Sequence, residues 1–160
     1  MHGVVNVVPL VRSRIYVRAK PSSRVTGATL LVPIRYPLKA SSVRTLDHAI
    51  ARADQFDDAQ LVIVHVNLLH TGKEEIDRTQ LRCALDEEVG LPDNTNCYVR
   101  DAYLIEKAIL GEADLQNADY VIIGESTQSR WRQLLAARFD IGTDLESALS
   151  HQLDGDLIVV

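Results

Sequence analysis

The segment Asn117-Ala118-Asp119-Tyr120-Val121-Ile122-Ile123-Gly124 constrains the fold of this chain more than any other. A turn leads into a short apolar run that stops at a glycine. Such a run fits a strand covered on both faces, as in a parallel sheet, with its carboxyl end opening onto a crevice lined by backbone. In open α/β sheets crevices of that kind hold ligands.

The rest of the chain repeats the theme. Thr29–Ile34 reads as a first strand, with Pro33 tolerable only near its end. Ser41 or Ser42 is placed to cap a helix reaching about Phe56, with Val43, Leu46, Ile50 and Ala53 on one face. Leu61–Val66 is a second buried strand. Asp77 and Gln80 make a capping box at the start of the next helix; Ile76 and Leu81 form its hydrophobic staple, and Gly90 ends it. Asn96–Arg100 is a third strand, after which Asp101 is placed to cap a helix carrying Leu104, Ile105, Ala108 and Ile109. The Tyr120 strand is the fourth. Thr143 and Glu146 form another capping box, opening a helix to about His151, and Leu157–Val160 is the last strand. Strands alternating with helices call for a doubly wound α/β fold, Rossmann-like, with a parallel sheet and helices on both faces.

Several of these fragments together resemble the universal stress protein family: Leu31-Val32-Pro33-Ile34, Val64-His65-Val66, Ala118–Gly124 and the closing Leu157-Ile158-Val159-Val160. The resemblance covers residues 29 to 160. It implies a five-stranded parallel sheet of order 3-2-1-4-5 and a homodimer formed through the last strand, with Leu157, Ile158, Val159 and Val160 as the dimer edge. It also implies a site for ATP or another adenine nucleotide, built from Pro33, Ile34, Arg35, Val66, Gly124, Ser126, Thr127, Ser129, Arg130, Gly142 and Thr143.

At that site the chain departs from the family pattern. Members that bind ATP carry Gly, two residues, Gly, nine residues, then Gly with Ser or Thr. Here Thr127 stands where the second Gly belongs, and residues 128–141 separate it from Gly142-Thr143, five more than the family spacing. The family's acid two residues after the first-strand proline is Arg35, and Tyr36 and Pro37 follow where small residues are usual. Phosphate binding needs backbone N–H groups aimed inward, hence glycine where the chain approaches closely. Thr127 restricts that approach, but the three hydroxyls of 126–129 and the guanidinium groups of Arg130 and Arg132 remain suited to an anion. A guanidinium at position 35 cannot accept ribose hydroxyls as a carboxylate does, so the mouth suits a small anionic ligand in a non-standard pose. The competing reading pairs these arginines with Asp140, Asp144 or Glu125.

Composition narrows the function classes. A chain of 160 residues suits one domain with a sizeable core. Residues 1–27 carry five bases and no acid, leaving −10 for the remainder of a chain of net charge −5. That stretch reads as a basic, loosely ordered extension ahead of a domain over 28–160, or as an arm for an acidic partner. An Asp-rich, Lys-poor domain is a poor match to nucleic acid. No apolar run has the length of a membrane span, and the order of charges after Val4–Val11 is the reverse of a secretory signal, so a cytoplasmic location is expected. Cys83 and Cys97 match no metal motif and read as buried thiols. His65 reads as a hydrogen-bonded, mostly buried histidine, and His48, His70 and His151 have no evident partner. Trp131 stands between two arginines, either as a cover for its own core or as an anchor for a protein partner. There is no nucleophile elbow, P-loop or dinucleotide fingerprint. The expectation is a non-enzymatic regulatory or protective module. The alternatives are an ATP- or AMP-binding switch and an adenylate-processing enzyme on the same scaffold.

Overall fold

A computed structural model describes residues 27–124 and 156–160. The elements run β1 (Thr29–Ile34), α1 (Ala40–Ala53), β2 (Gln60–Leu68), α2 (Arg78–Glu88), β3 (Thr95–Ala102), α3 (Ile105–Leu115), β4 (Tyr120–Ile123) and β5 (Asp156–Val159). The five strands form one parallel sheet of order β3-β2-β1-β4-β5, as the resemblance implied. The basic segment 1–26 and the expected helix from Thr143 to His151 lie outside the described residues.

Alternation along the strands divides the core in two. Leu31, Val62, Val64, Val66, Val121 and Ile123 face α3 with Ile109 and Ala113. Leu30, Val32, Ile34, Leu61, Ile63, Cys97 and Ile122 face the other way, onto Leu46 and Ala49 of α1 and Leu81 and Leu85 of α2. Full burial of each such Leu or Ile stabilises the fold by roughly 1.5–3 kcal/mol. Asn117 takes the left-handed conformation (φ 49°) that asparagine tolerates better than branched residues. It thereby turns the chain from α3 into β4. Asp119 then fastens the two central strands at their amino ends: its N–H donates to the Thr29 carbonyl (2.8 Å), and its carboxylate accepts from the Thr29 N–H (2.9 Å).

The capping box of α2 forms as expected. Gln80 N–H donates to Asp77 Oδ1 (2.8 Å), and Asp77 N–H donates to Gln80 Oε1 (2.9 Å). Ile76 and Leu81 are both buried in the same cluster. Four expectations are corrected. Helix α1 begins at Ala40, and its N-cap is Lys39 in extended conformation; Ser41 and Ser42 fall inside the first turn and cap nothing. Asp101 does not cap α3, because β3 runs on to Ala102 and Asp101 pairs with Asn67 of β2; the N-cap is Leu104. Gly90 does not terminate α2 in a left-handed turn, since Val89 has already left the helix in extended conformation. Cys83 is exposed whereas Cys97 is buried. Cys83 lies two residues from Leu81, about 200° around the helix from the buried stripe.

Candidate functional site

Strand order reverses between β1 and β4. The chain leaves β1 toward β2 on one side and returns to β4 on the other, so the carboxyl ends of β1 and β4 flank the switch point of the sheet. The β1–β4 register pairs Leu31 with Val121. Counted forward, it sets Ile34 level with Gly124 and puts Arg35 one residue beyond. The two residues that the sequence singled out for the mouth therefore sit at the carboxyl ends of neighbouring central strands.

Pro33, Ile34 and Val66 are buried, so any ligand meets their backbone rather than their side chains. Arg35 is exposed, as are Tyr36, Pro37 and Lys39; Leu38 is half-buried. The loop from Arg35 to Lys39 thus presents two cations and no acid. It leads into an α1 whose N-terminus has no side-chain cap and no acid in its first turn. Helix N-termini carry partial positive charge, normally offset by an acidic or hydroxyl cap. Here a lysine, which can only donate, holds the cap position, so no cap side chain offsets that charge.

Gly124 has a packing reason to be glycine. A Cβ at this position would stand 2.9 Å from Thr45 Oγ1 and 4.0 Å from the Val160 carbonyl oxygen. Thr45 is buried on α1, and its hydroxyl donates to the Ser41 carbonyl at 2.9 Å, so it is not free to swing away. The glycine lets the second turn of α1 press against the end of β4.

His65 sits at the same edge of the sheet, level with Ile34. Its Nδ1 lies 3.1 Å from the Ile34 carbonyl oxygen. A carbonyl only accepts, so Nδ1 carries the proton. Burial pushes the imidazole below its ordinary value, against the pull of the Ile34 carbonyl and the Asn67 side chain. Tyr36 packs edge-to-face on the same ring, with centroids 6.4 Å apart at 70°. Asn67 is buried and ties the rim together. Its amide donates to the Ile76 carbonyl and to Asp101 Oδ1, both at 3.0 Å, and its Oδ1 accepts from the Ile76 N–H at 3.2 Å. Further along the rim His70 stacks on Tyr103 (6.3 Å, 19°), a partner that spacing along the chain could not reveal.

The sequence thus located Arg35, Gly124 and the strand ends. It named Tyr36 only as a departure from the family pattern beside Arg35, read His65 as a hydrogen-bonded, mostly buried histidine, as the bond to Ile34 bears out, and did not identify Thr45 or Asn67 as parts of this edge. Thr45 announces itself only through its distance to Gly124, which depends on how α1 packs. Ser126, Thr127, Ser129, Arg130, Gly142 and Thr143 lie outside the described residues. Of the last-strand residues, Val159 is buried and Ile158 and Val160 are half-buried; Leu157 contributes its backbone to β5, which pairs with β4 at the end of the described sheet. Among the described residues no group of three His, Cys, Asp or Glu side chains is placed to hold a metal ion, and no helix is long and apolar enough to cross a membrane.

No family model and no curated protein matches the chain. Among solved structures, a universal stress protein in complex with cAMP is similar, with a TM-score of 0.55 and 17% sequence identity. The similarity covers 83% of this chain and 95% of that one. A universal stress protein from Archaeoglobus fulgidus DSM 4304 matches with a TM-score of 0.48 and 16% identity, over 82% of this chain and 42% of that one. At the first of these levels the likeness is one of fold: the chain has the universal stress protein fold.

Proposed function

We propose that this chain is a universal stress protein-like binding module, regulatory or protective rather than enzymatic, whose switch-point crevice takes a small anionic ligand. The observation that carries this reading is the cationic loop Arg35–Lys39 running into an uncapped helix beside Gly124, at the point where strand order reverses. Positive charge, a helix N-terminus and the carboxyl ends of central strands coincide there, a combination that favours phosphate-bearing ligands. Adenine nucleotides are the first class to test, because the similar solved structure was determined with cAMP. That same fact favours a second reading, in which the module is a switch that retains ATP or AMP despite its altered loop. The module works in the cytoplasm as a homodimer, with Leu157–Val160 of each copy at the interface; β5 offers an unpaired edge among the described strands.

Calorimetric titration with ATP, AMP, cAMP and inorganic phosphate tests the binding reading. Saturable heat from at least one of them at millimolar concentration or below is expected; silence from all four rejects it. Native mass spectrometry of the purified protein reports subunit number and retained ligand together. A monomer at high protein concentration rejects the β5 dimer.

A further inference from the structure

We infer that Arg78 and Arg82 of α2 form a cationic strap across the outer edge of β3, which closes that edge to strand addition by a second copy of the chain and leaves β5 as the edge through which sheets join.

β3 is the outermost strand at its end of the described sheet, and β2 is its one partner among the described strands. The Asn94 carbonyl accepts from the Leu61 N–H and the Ala102 carbonyl from the Leu69 N–H, so the even-numbered residues of β3 address β2. The N–H and C=O groups of Cys97, Val99 and Asp101, and the carbonyl of Thr95, therefore point outward. Such a row recruits another strand unless something covers it.

The cover comes from α2. Arg82 Nη1 donates to the outward Thr95 carbonyl at 3.0 Å and lies 4.0 Å from Cys97 Sγ. Arg78 precedes it by one turn, about 5.4 Å along the helix, which sets it level with the middle of β3 rather than beyond its end. Helix α2 packs on one face of the sheet, whereas the Tyr98 ring packs with the α3 cluster on the other. The Arg78 Cζ is nonetheless 5.6 Å from the centre of that ring. A side chain from one face meets a ring on the other by passing round the outermost strand, so the Arg78 stem crosses the edge. Cys97 is 1% exposed although its backbone faces outward, as an outermost strand requires side chains laid over it to be.

The chemistry suits a cover rather than a docking surface. A guanidinium satisfies outward carbonyls but accepts nothing, so it ends a ladder instead of continuing it. Two copies meeting edge to edge about a two-fold axis would also set Arg78 and Arg82 against their own images, a like-charge contact.

The test is light scattering, under reducing conditions and over a range of concentrations, of wild type, of Arg78→Ser/Arg82→Ser, and of that variant with Val99→Pro added. The double variant should reach a mass at least about twice that of wild type. Val99 sends its N–H outward, so proline there removes no bond to β2 and blocks strand addition; the triple variant should return to the wild-type mass. A folded double variant that keeps the wild-type mass overturns the inference, and so does added association that survives Val99→Pro. If circular dichroism shows the double variant unfolded, Arg78→Ser alone, which keeps the Arg82 bonds, decides by the same criterion. The result does not depend on the β5 dimer: a monomeric wild type rejects that reading, and the strap is then tested by whether the variant dimerises.

Discussion

Arg100 of β3 grips Glu112 of α3 at two points, Nε to Oε2 at 2.6 Å and Nη2 to Oε1 at 3.0 Å. Glu112 is buried, and its Oε1 also accepts from Gln116 Nε2 at 2.9 Å. The guanidinium, partly exposed, lies over Tyr98 with 4.9 Å to the ring centroid. The pair fastens α3 to the outer strand of the sheet. Removing one partner of a buried pair strands the other charge, at a cost of roughly 3–5 kcal/mol when both are buried. Solvent around Arg100 reduces that, so Arg100→Met should cost about 2 kcal/mol. Glu112→Gln leaves no buried charge, only the partly solvated Arg100 guanidinium without its counter-charge, and should cost about half as much. Urea unfolding of the two variants checks the order; equal losses would show that the carboxylate is not desolvated.

The same pair sets an acid limit. Burial raises the Glu112 carboxyl, but the hydrogen bonds from Arg100 and Gln116 and the Arg100 charge outweigh it, so the group sits below its ordinary value of 4.5. A carboxylate held lower in the folded state contributes stability that is fully present above the unfolded value and is lost as pH falls through the folded one. Stability should therefore decline below about pH 4.5. In Arg100→Met only burial and Gln116 act on the carboxyl. Its value should rise, reversing the slope of its contribution, so that mild acid recovers part of the loss. Thermal melts of both proteins from pH 3.5 to 7 decide this; parallel curves would contradict it.

The fold was legible because each step of its signal is local. The unbroken apolar runs of the strands, the Asp77–Gln80 box and the turn before Tyr120 are each written within a few residues. The errors came where tertiary context overrides a local preference. Asp101 carries a good capping side chain, but its cross-strand partner Asn67 claims it and β3 continues. Ser41 and Ser42 are good caps that lose the position to Lys39, because the chain turns into the helix two residues before Ser41. The site was half legible for the same reason. Glycine at 124 was visible, but its neighbour Thr45 lies across a helix–strand contact that no spacing rule encodes.

That contact gives a second measurable coupling. Gly124→Ala forces a methyl group to within 2.9 Å of Thr45 Oγ1, closer than carbon and oxygen tolerate. Overpacking of this kind typically costs 1–3 kcal/mol, and about 2 kcal/mol is expected here. Thr45→Ala removes the obstructing hydroxyl, at its own cost of about 1 kcal/mol for the lost bond to Ser41 and the lost packing. The double variant should be more stable than the sum of the two losses implies, by about 1 kcal/mol. A double-mutant cycle by chemical denaturation reads the difference directly. Strict additivity would mean that α1 gives way at no cost and that Gly124 is not glycine for Thr45's sake.

Lys39 links stability to binding in opposite directions. It occupies the N-cap of α1 with extended backbone (φ −113°, ψ 166°), the conformation a capping residue needs, yet its side chain makes no cap bond. An aspartate there would accept from the free N–H groups of the first turn and meet the positive end of the helix with negative charge. Lys39→Asp should raise stability by about 1 kcal/mol. The same exchange makes the crevice mouth more negative by two charges and fills the N–H groups that an anion would use. Affinity for phosphate-bearing ligands should fall at least tenfold, with a shallower salt dependence than wild type. A lysine retained where aspartate would be more stable is the pattern expected when stability is spent on a site. If Lys39→Asp stabilises the fold and leaves anion affinity untouched, the N-terminus of α1 is not part of the site, and the crevice must draw its positive charge from elsewhere.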